Sequence, residues 1–231
     1  LEVTKGCPPH IRNQLLEELG LSQDDLYIIE GPLNPIQLMQ VYEGDHSPEL
    51  RDKAFIAPIA YPFLEEKGVF ETIREKDVML HHPYESFNSV VNFIEQAASD
   101  PKVLAIKQTM YRAGSDQRIF KALMSAVRND KQVTVVLELK ARFDEDNNIK
   151  AARQLEKAGV HVLYGLAGYK IHCKMCMVVR KDEDGIRRYV HLATGNYNPS
   201  TAKLYTDIGL LSACPELGRD VGDVFNLLTG I

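Results

Sequence analysis

A chain of 231 residues, 45% hydrophobic and 26% charged, holds enough apolar material for one large α/β core with a smaller segment attached. Its formal net charge of −5 argues against a general nucleic-acid binder, which draws backbone affinity from clustered Lys and Arg, but leaves room for a small polyanion in a local basic pocket. No apolar run is long enough to span a bilayer and no secretory signal is read, so a soluble, cytoplasmic protein is expected. The four cysteines, Cys7, Cys173, Cys176 and Cys214, form no disulfide framework in a chain this long and are expected as buried, reduced thiols.

Residues 1–75 differ in character from the rest. His10 to Leu19 reads as a short amphipathic helix after Pro8-Pro9, ended at Gly20, and Leu33 to Tyr42 as a second helix after Gly31-Pro32. Leu26 to Ile29 reads as a strand, and Ser47 to Lys67, with Pro48, Pro58 and Pro62, as mostly irregular. Nothing here assembles into a chemical site, so this part is taken as the end of a preceding middle domain plus a linker. Leu1 in place of Met, and an apolar helix running up to Ile231, suggest that both ends are cut from something longer.

From Lys76 the chain alternates. Val78 to Leu80 predicts a strand and Tyr84 to Ala98 a helix. Val103 to Gln108 is a strand and Ser115 to Asn129 a helix. Val133 to Leu139 is a strand, Glu145 to Ala158 a helix closed by Gly159, and Val160 to Tyr164 a strand. Ile171 to Val179 and Ile186 to Ala193 flank Lys181-Asp-Glu-Asp-Gly185 as a hairpin, followed by strand Asp207 to Leu211 and helix Leu217 to Leu228. The expected fold of residues 76–231 is α/β, a mixed, largely parallel sheet flanked by helices.

The chemistry gathers on Tyr169-Lys-Ile-His-Cys-Lys174, where an apolar strand pattern carries His172 and Lys174 two residues apart and therefore on one face. An imidazole nitrogen attacks phosphorus, and a neighbouring ammonium neutralises the non-bridging oxygens. In open α/β sheets ligands collect beyond the carboxyl ends of strands. There the chain delivers Arg112 and Arg142, planar forks suited to phosphate, and the turn Thr194-Gly-Asn-Tyr-Asn198. In that turn Gly195 would let backbone approach a ligand, Asn196 supplies an amide, and Asn198 is placed to cap a helix whose N–H groups favour an anion. Tyr205 and Asp207 follow, the tyrosine able to stack on a base. His81 and His82, before Pro83 at a strand-to-helix junction, could reach the same edge but are more simply read as helix-capping and exposed, and His161 and His191 fall inside strands without an assigned partner.

H-x-K followed by a Gly-Asn turn resembles one half of the phospholipase D superfamily, although Val179 stands where that superfamily usually carries aspartate, which argues against lipid phosphodiester hydrolysis. The blocks His81-His-Pro-Tyr-Glu-Ser-Phe87, Ile106-Lys-Gln-Thr-Met-Tyr-Arg112, Leu137-Glu-Leu-Lys-Ala-Arg-Phe-Asp144, Tyr169-Lys-Ile-His-Cys-Lys174, Thr194-Gly-Asn-Tyr-Asn198 and Thr201-Ala-Lys-Leu-Tyr-Thr-Asp207 resemble, in order, bacterial polyphosphate kinase. That resemblance implies reversible transfer of the terminal phosphate of ATP to polyphosphate through a phosphohistidine on His172, with Tyr205 lining the ATP site and ADP as the leaving product. It associates Arg112 and Arg142 with magnesium; a guanidinium has no free lone pair, so both would hold phosphate oxygens that in turn bind the metal. It also implies a second phospholipase-D-like domain completing the site, a homo-oligomeric full-length enzyme and, by resemblance alone, a peripheral membrane association. The isolated chain is expected to be inactive. The alternatives are a phospholipase-D-like phosphodiesterase or nuclease half-site, and a non-catalytic polyphosphate-binding module.

Overall fold

The computed structural model describes residues 1–44, 47–60, 63, 67–111, 117–138, 145–165 and 168–230. Two compact units divide at Ala54 and Phe55. In the first, β1 (Glu2–Thr4) pairs in parallel with β2 (Tyr27–Ile29), and α1 (Pro9–Leu19) lies between them in the chain. Pro9 opens α1 in its first turn, where a missing N–H costs nothing, and Gly20 ends it with φ 64°. The second expected helix is divided: Pro35 starts a single 3-10 turn, and α2 covers only Met39–Gly44.

The second unit runs α3 (Val69–Glu75), β3 (Val78–His82), α4 (Asn88–Ser99), β4 (Val103–Met110), α5 (Arg118–Arg128), β5 (Gln132–Leu137), α6 (Glu145–Lys157), β6 (His161–Tyr164), β7 (Lys174–Asp182), β8 (Gly185–Ala193), β9 (Asp207–Ser212) and α7 (Pro215–Thr229). Its division from the first unit places α3 with the sheet rather than with the preceding part, and Val69, Phe70 and Ile73 all lie in the main core. Among the described residues one seven-stranded sheet forms in the order β3-β9-β8-β7-β4-β5-β6. Strands β4, β5 and β6 are parallel neighbours, and every other pairing is antiparallel. β3 and β8 nevertheless point the same way as the parallel trio, and β7 and β9 oppose them, so the sheet is mixed as expected.

Alternation along the strands sends residues to two apolar layers. One face meets α4 and α5, whose buried positions recur at helical spacing: Val90, Val91, Ile94 and Ala98 on one, Ile119, Leu123 and Ala126 on the other. On the opposite face Val136, Met175, Met177 and Val190 pack on Val221, Phe225 and Leu228 of α7. No helix among the described residues is long and apolar enough to cross a membrane. All four cysteines are free, but only Cys176 is buried; Cys173 is exposed, and Cys7 and Cys214 are intermediate, which corrects the expectation of four buried thiols. Burial raises the Cys176 thiol well above its ordinary value and keeps it protonated.

Candidate functional site

Register fixes which ends meet. Met110 pairs with Leu137, Leu137 with Tyr164, Lys174 with Ala193, Ala193 with Gly209, and His82 with Asp207. The carboxyl ends of β3, β4, β5, β6 and β8, and the starts of β7 and β9, therefore share one edge of the sheet. His172, Lys174, the turn after β8 and Tyr205 all belong to that edge by their place in the chain.

The H-x-K segment differs from a simple strand. The β7 ladder begins at Lys174, so His172 stands just outside it. A regular pleat would hold the two side chains apart, roughly 6.5 to 7 Å along the strand. Here the Lys174 ammonium folds back, 3.0 Å from Nδ1 and 3.1 Å from Nε2 of His172, and donates to the His172 carbonyl at 2.6 Å. Those two nitrogens flank a single ring carbon, so an atom equally far from both, without striking that carbon, lies over the ring face and not along either in-plane lone pair. Partial removal from water lowers the His172 pKa, and the charges of Lys174 and Lys170 lower it further. The ring is thus neutral at pH 7, and Lys174 leaves its in-plane lone pair available.

The Tyr111 ring, directly before Arg112 in the chain, meets the His172 ring nearly at right angles with centroids 4.9 Å apart, and the ammonium groups of Lys170 and Lys174 each lie 5.5 Å from the Tyr111 centroid. Lys174 is only 6% exposed, and burial lowers its pKa while Cys173 and Asp207 act in the opposite sense. Sequence reasoning passed over Tyr111 and Lys170. The signal for both was their position, one residue beyond β4 and two residues before His172.

The turn after β8 departs from expectation in two ways. A Cβ on Gly195 would stand 2.5 Å from Asp207 Oδ2, so the space is filled by a carboxylate and is not open to a ligand; Asp207 Oδ1 accepts from the Thr194 hydroxyl at 2.8 Å. Asn198 does not begin an anion-binding helix. Its Oδ1 accepts from the N–H groups of Ser200 and Thr201 at 3.0 and 3.3 Å, at a single 3-10 turn. Asn196 Oδ1, an acceptor, is shielded from solvent with no hydrogen-bond partner among the described residues. Tyr205 is 62% exposed, just before β9. Arg112 and Arg142 lie outside the described residues.

His82 is buried, which corrects its reading as an exposed capping residue; His81 is exposed on β3. His82 Nδ1 lies 2.8 Å from the Glu85 carbonyl, which only accepts, so the proton sits on Nδ1. His191 is 1% exposed, with Nδ1 2.8 Å from the Tyr197 hydroxyl and Nε2 over Gly209, where an added Cβ would come within 3.0 Å. Burial, reinforced by His82, pushes His191 down to about 3. Between that value and the ordinary 6.5 the unfolded chain binds a proton that the folded one refuses, so stability falls as pH drops below 6.5. The His191 share is about 2 kcal/mol between pH 7 and pH 5. Urea denaturation at the two pH values should show this part of the loss missing from His191→Gln; an unchanged difference would contradict it.

Among the described residues no group of three or more His, Cys, Asp or Glu side chains is placed to hold a metal ion. The Lys174 ammonium and an amide N–H suit phosphate oxygens, while one neutral imidazole and one amide oxygen do not by themselves make a ligand set for a cation.

Residues 68–231 match the family model described as polyphosphate kinase C-terminal domain 1. The whole chain is 50% identical to the polyphosphate kinase of Burkholderia multivorans and 50% identical to that of Mycolicibacterium gilvum, covering 34% and 32% of those proteins. It spans about a third of the length of these curated relatives. The solved polyphosphate kinase of Porphyromonas gingivalis is 30% identical with a TM-score of 0.74, over 89% of this chain and 34% of that one. Nuc, a phospholipase D family member from Salmonella typhimurium, shares the fold at a TM-score of 0.53 and 14% identity, over 67% of this chain and 94% of that one.

Proposed function

Because the chain belongs to the polyphosphate kinase family, we propose that it supplies the part of an ATP:polyphosphate phosphotransferase site in which His172 carries the phosphoryl group. The supporting observation is the neutral imidazole with an ammonium over its face, which leaves an in-plane lone pair to attack. A His172 nitrogen attacks the γ-phosphorus in line, the bond to the β,γ-bridging oxygen breaks, and ADP leaves with that electron pair. The terminal oxygen of polyphosphate then attacks the same phosphorus, the N–P bond breaks, and the imidazole is restored. Each step runs backwards by the same path.

Lys174 neutralises the equatorial oxygens, Asn196 offers its amide to the phosphates and Tyr205 lines the nucleotide. Arg112 and Arg142 would hold phosphate oxygens. Magnesium would arrive on those phosphates: the described side chains provide it no ligand set, and no step is assigned to it. With about a third of its relatives' length, the isolated chain is proposed to turn over little or not at all.

The test is incubation of a full-length polyphosphate kinase carrying this sequence with γ-labelled ATP and magnesium, followed by mapping of acid-labile label. Label on His172 is expected. Label confined to another residue would remove His172 from the role.

A further inference from the structure

The segment that carries His172 is not held by the sheet. The pairing of β4 with β7 ends at Gln108 opposite Cys176, and Ile171, His172 and Cys173 fall outside the β7 ladder. Leaving the ladder is what lets the Lys174 ammonium reach the imidazole, and such a departure needs something else to fix it.

Two buried side chains take over. The Thr109 hydroxyl, on a residue 1% exposed, donates to the Cys173 carbonyl at 2.8 Å and accepts from the Met175 N–H at 2.9 Å, gripping the backbone on both sides of Lys174. On the other side of His172, Oε2 of Glu138, a residue 5% exposed, accepts from the Ile171 N–H at 2.9 Å. Asn148, fully buried, donates to the carbonyls of both Tyr111 and Glu138 at 3.0 and 2.8 Å. Asn148 thereby ties the ends of β4 and β5 to each other, and Thr109 and Glu138 tie those ends to the segment that leads into β7.

We propose that Thr109 and Glu138 are positioning residues for phosphoryl transfer, holding the imidazole and ammonium in register by gripping the backbone on either side of them. The proposal rests on the reading of His172 as the phosphoryl acceptor. Alignment of this kind matters because a displacement of about 1 Å at a reacting centre costs on the order of 100-fold in rate.

The experiment compares Thr109→Val with Thr109→Ser in the full-length enzyme. Valine keeps the shape and removes the hydroxyl; serine keeps the hydroxyl. Single-turnover labelling of His172 should slow by about 10- to 100-fold in Thr109→Val, with the KM for ATP within about twofold, and serine should stay within about threefold of the parent. A second readout needs no activity: an NMR titration of His172 should move up toward the ordinary histidine value in Thr109→Val and stay put in Thr109→Ser. Parental labelling and titration in Thr109→Val, or Thr109→Ser as slow as Thr109→Val, would overturn the proposal. If Thr109→Val does not fold, Thr109→Ser decides: a parental rate and titration support the grip, and loss of both overturns it. A parent enzyme unlabelled at His172 would remove the acceptor role instead, and the titration would still decide whether Thr109 holds the pair.

Discussion

Replacing His172 by glutamine in a full-length polyphosphate kinase that carries this sequence is expected to abolish acid-labile phosphate incorporation and to cut polyphosphate synthesis by at least about ten-thousand-fold. Glutamine keeps polar contacts of similar reach but has no basic nitrogen lone pair for phosphorus. Lys174 cannot take over while it is an ammonium, because all its electron pairs are in bonds. Its own replacement, Lys174→Met, is expected to be milder, about 100- to 1000-fold, since it removes charge stabilisation and leaves the acceptor in place. Burial and the two lysine charges lower the His172 pKa, so the neutral ring is present through pH 7 and is lost only as pH falls below the ordinary 6.5. Rapid-quench labelling at pH 7 and pH 6 checks both claims; undiminished incorporation in His172→Gln would refute the assignment.

Much of this site was legible because strand ends are marked by composition. The run from Val133 stops at Leu137 where the polar Glu138 begins, that from Val103 continues past Lys107 to Met110, and the hairpin expected across Lys181 to Gly185 forms there, with Asp182 paired to Gly185 and Glu183-Asp184 in the turn. Strand direction beyond that hairpin was harder: β9, antiparallel to both β8 and β3, reads locally much like the parallel strands. Helix α4 starts at Asn88, later than its apolar period indicates. Its first expected turn is instead closed by Glu85, which bonds the His81 carbonyl through its N–H at 2.8 Å and accepts from the His81 N–H at 2.7 Å. The departure of His172 from the ladder was not legible, because it is decided by Thr109, 66 residues before Met175 in the chain. No local period encodes a side chain that replaces a backbone partner across that separation.

At the far end of β7 from Lys174, Asp182→Ala is expected to destabilise the second unit by about 3 to 5 kcal/mol. The Asp182 side chain is 1% exposed and takes three partners: Arg180 through Nη1, the Tyr189 hydroxyl at 2.6 Å and Arg187 Nε at 3.3 Å. Arg180, only 10% exposed, also meets Asp100 at 2.8 Å and lies 5.0 Å from the Phe70 ring centroid. Alanine would remove one of the three carboxylates around that guanidinium, the others being Asp100 and, at 3.7 Å, the exposed Glu71, and would strip the fully buried Tyr189 hydroxyl of its acceptor, so the cost is that of orphaned groups and not of one ion pair. The exposed pairs of Asp184 with Arg74 and Arg187 nearby add little by comparison. Thermal unfolding should show a fall of roughly 10 °C. Because Asp182 and Lys174 stand at opposite ends of the nine-residue β7, on the order of 25 Å apart, the rate of His172 labelling per folded molecule should not change. A loss of stability below about 1 kcal/mol would show that the network is replaceable by water. A slowed labelling rate in fully folded protein would show that the two ends of β7 are coupled.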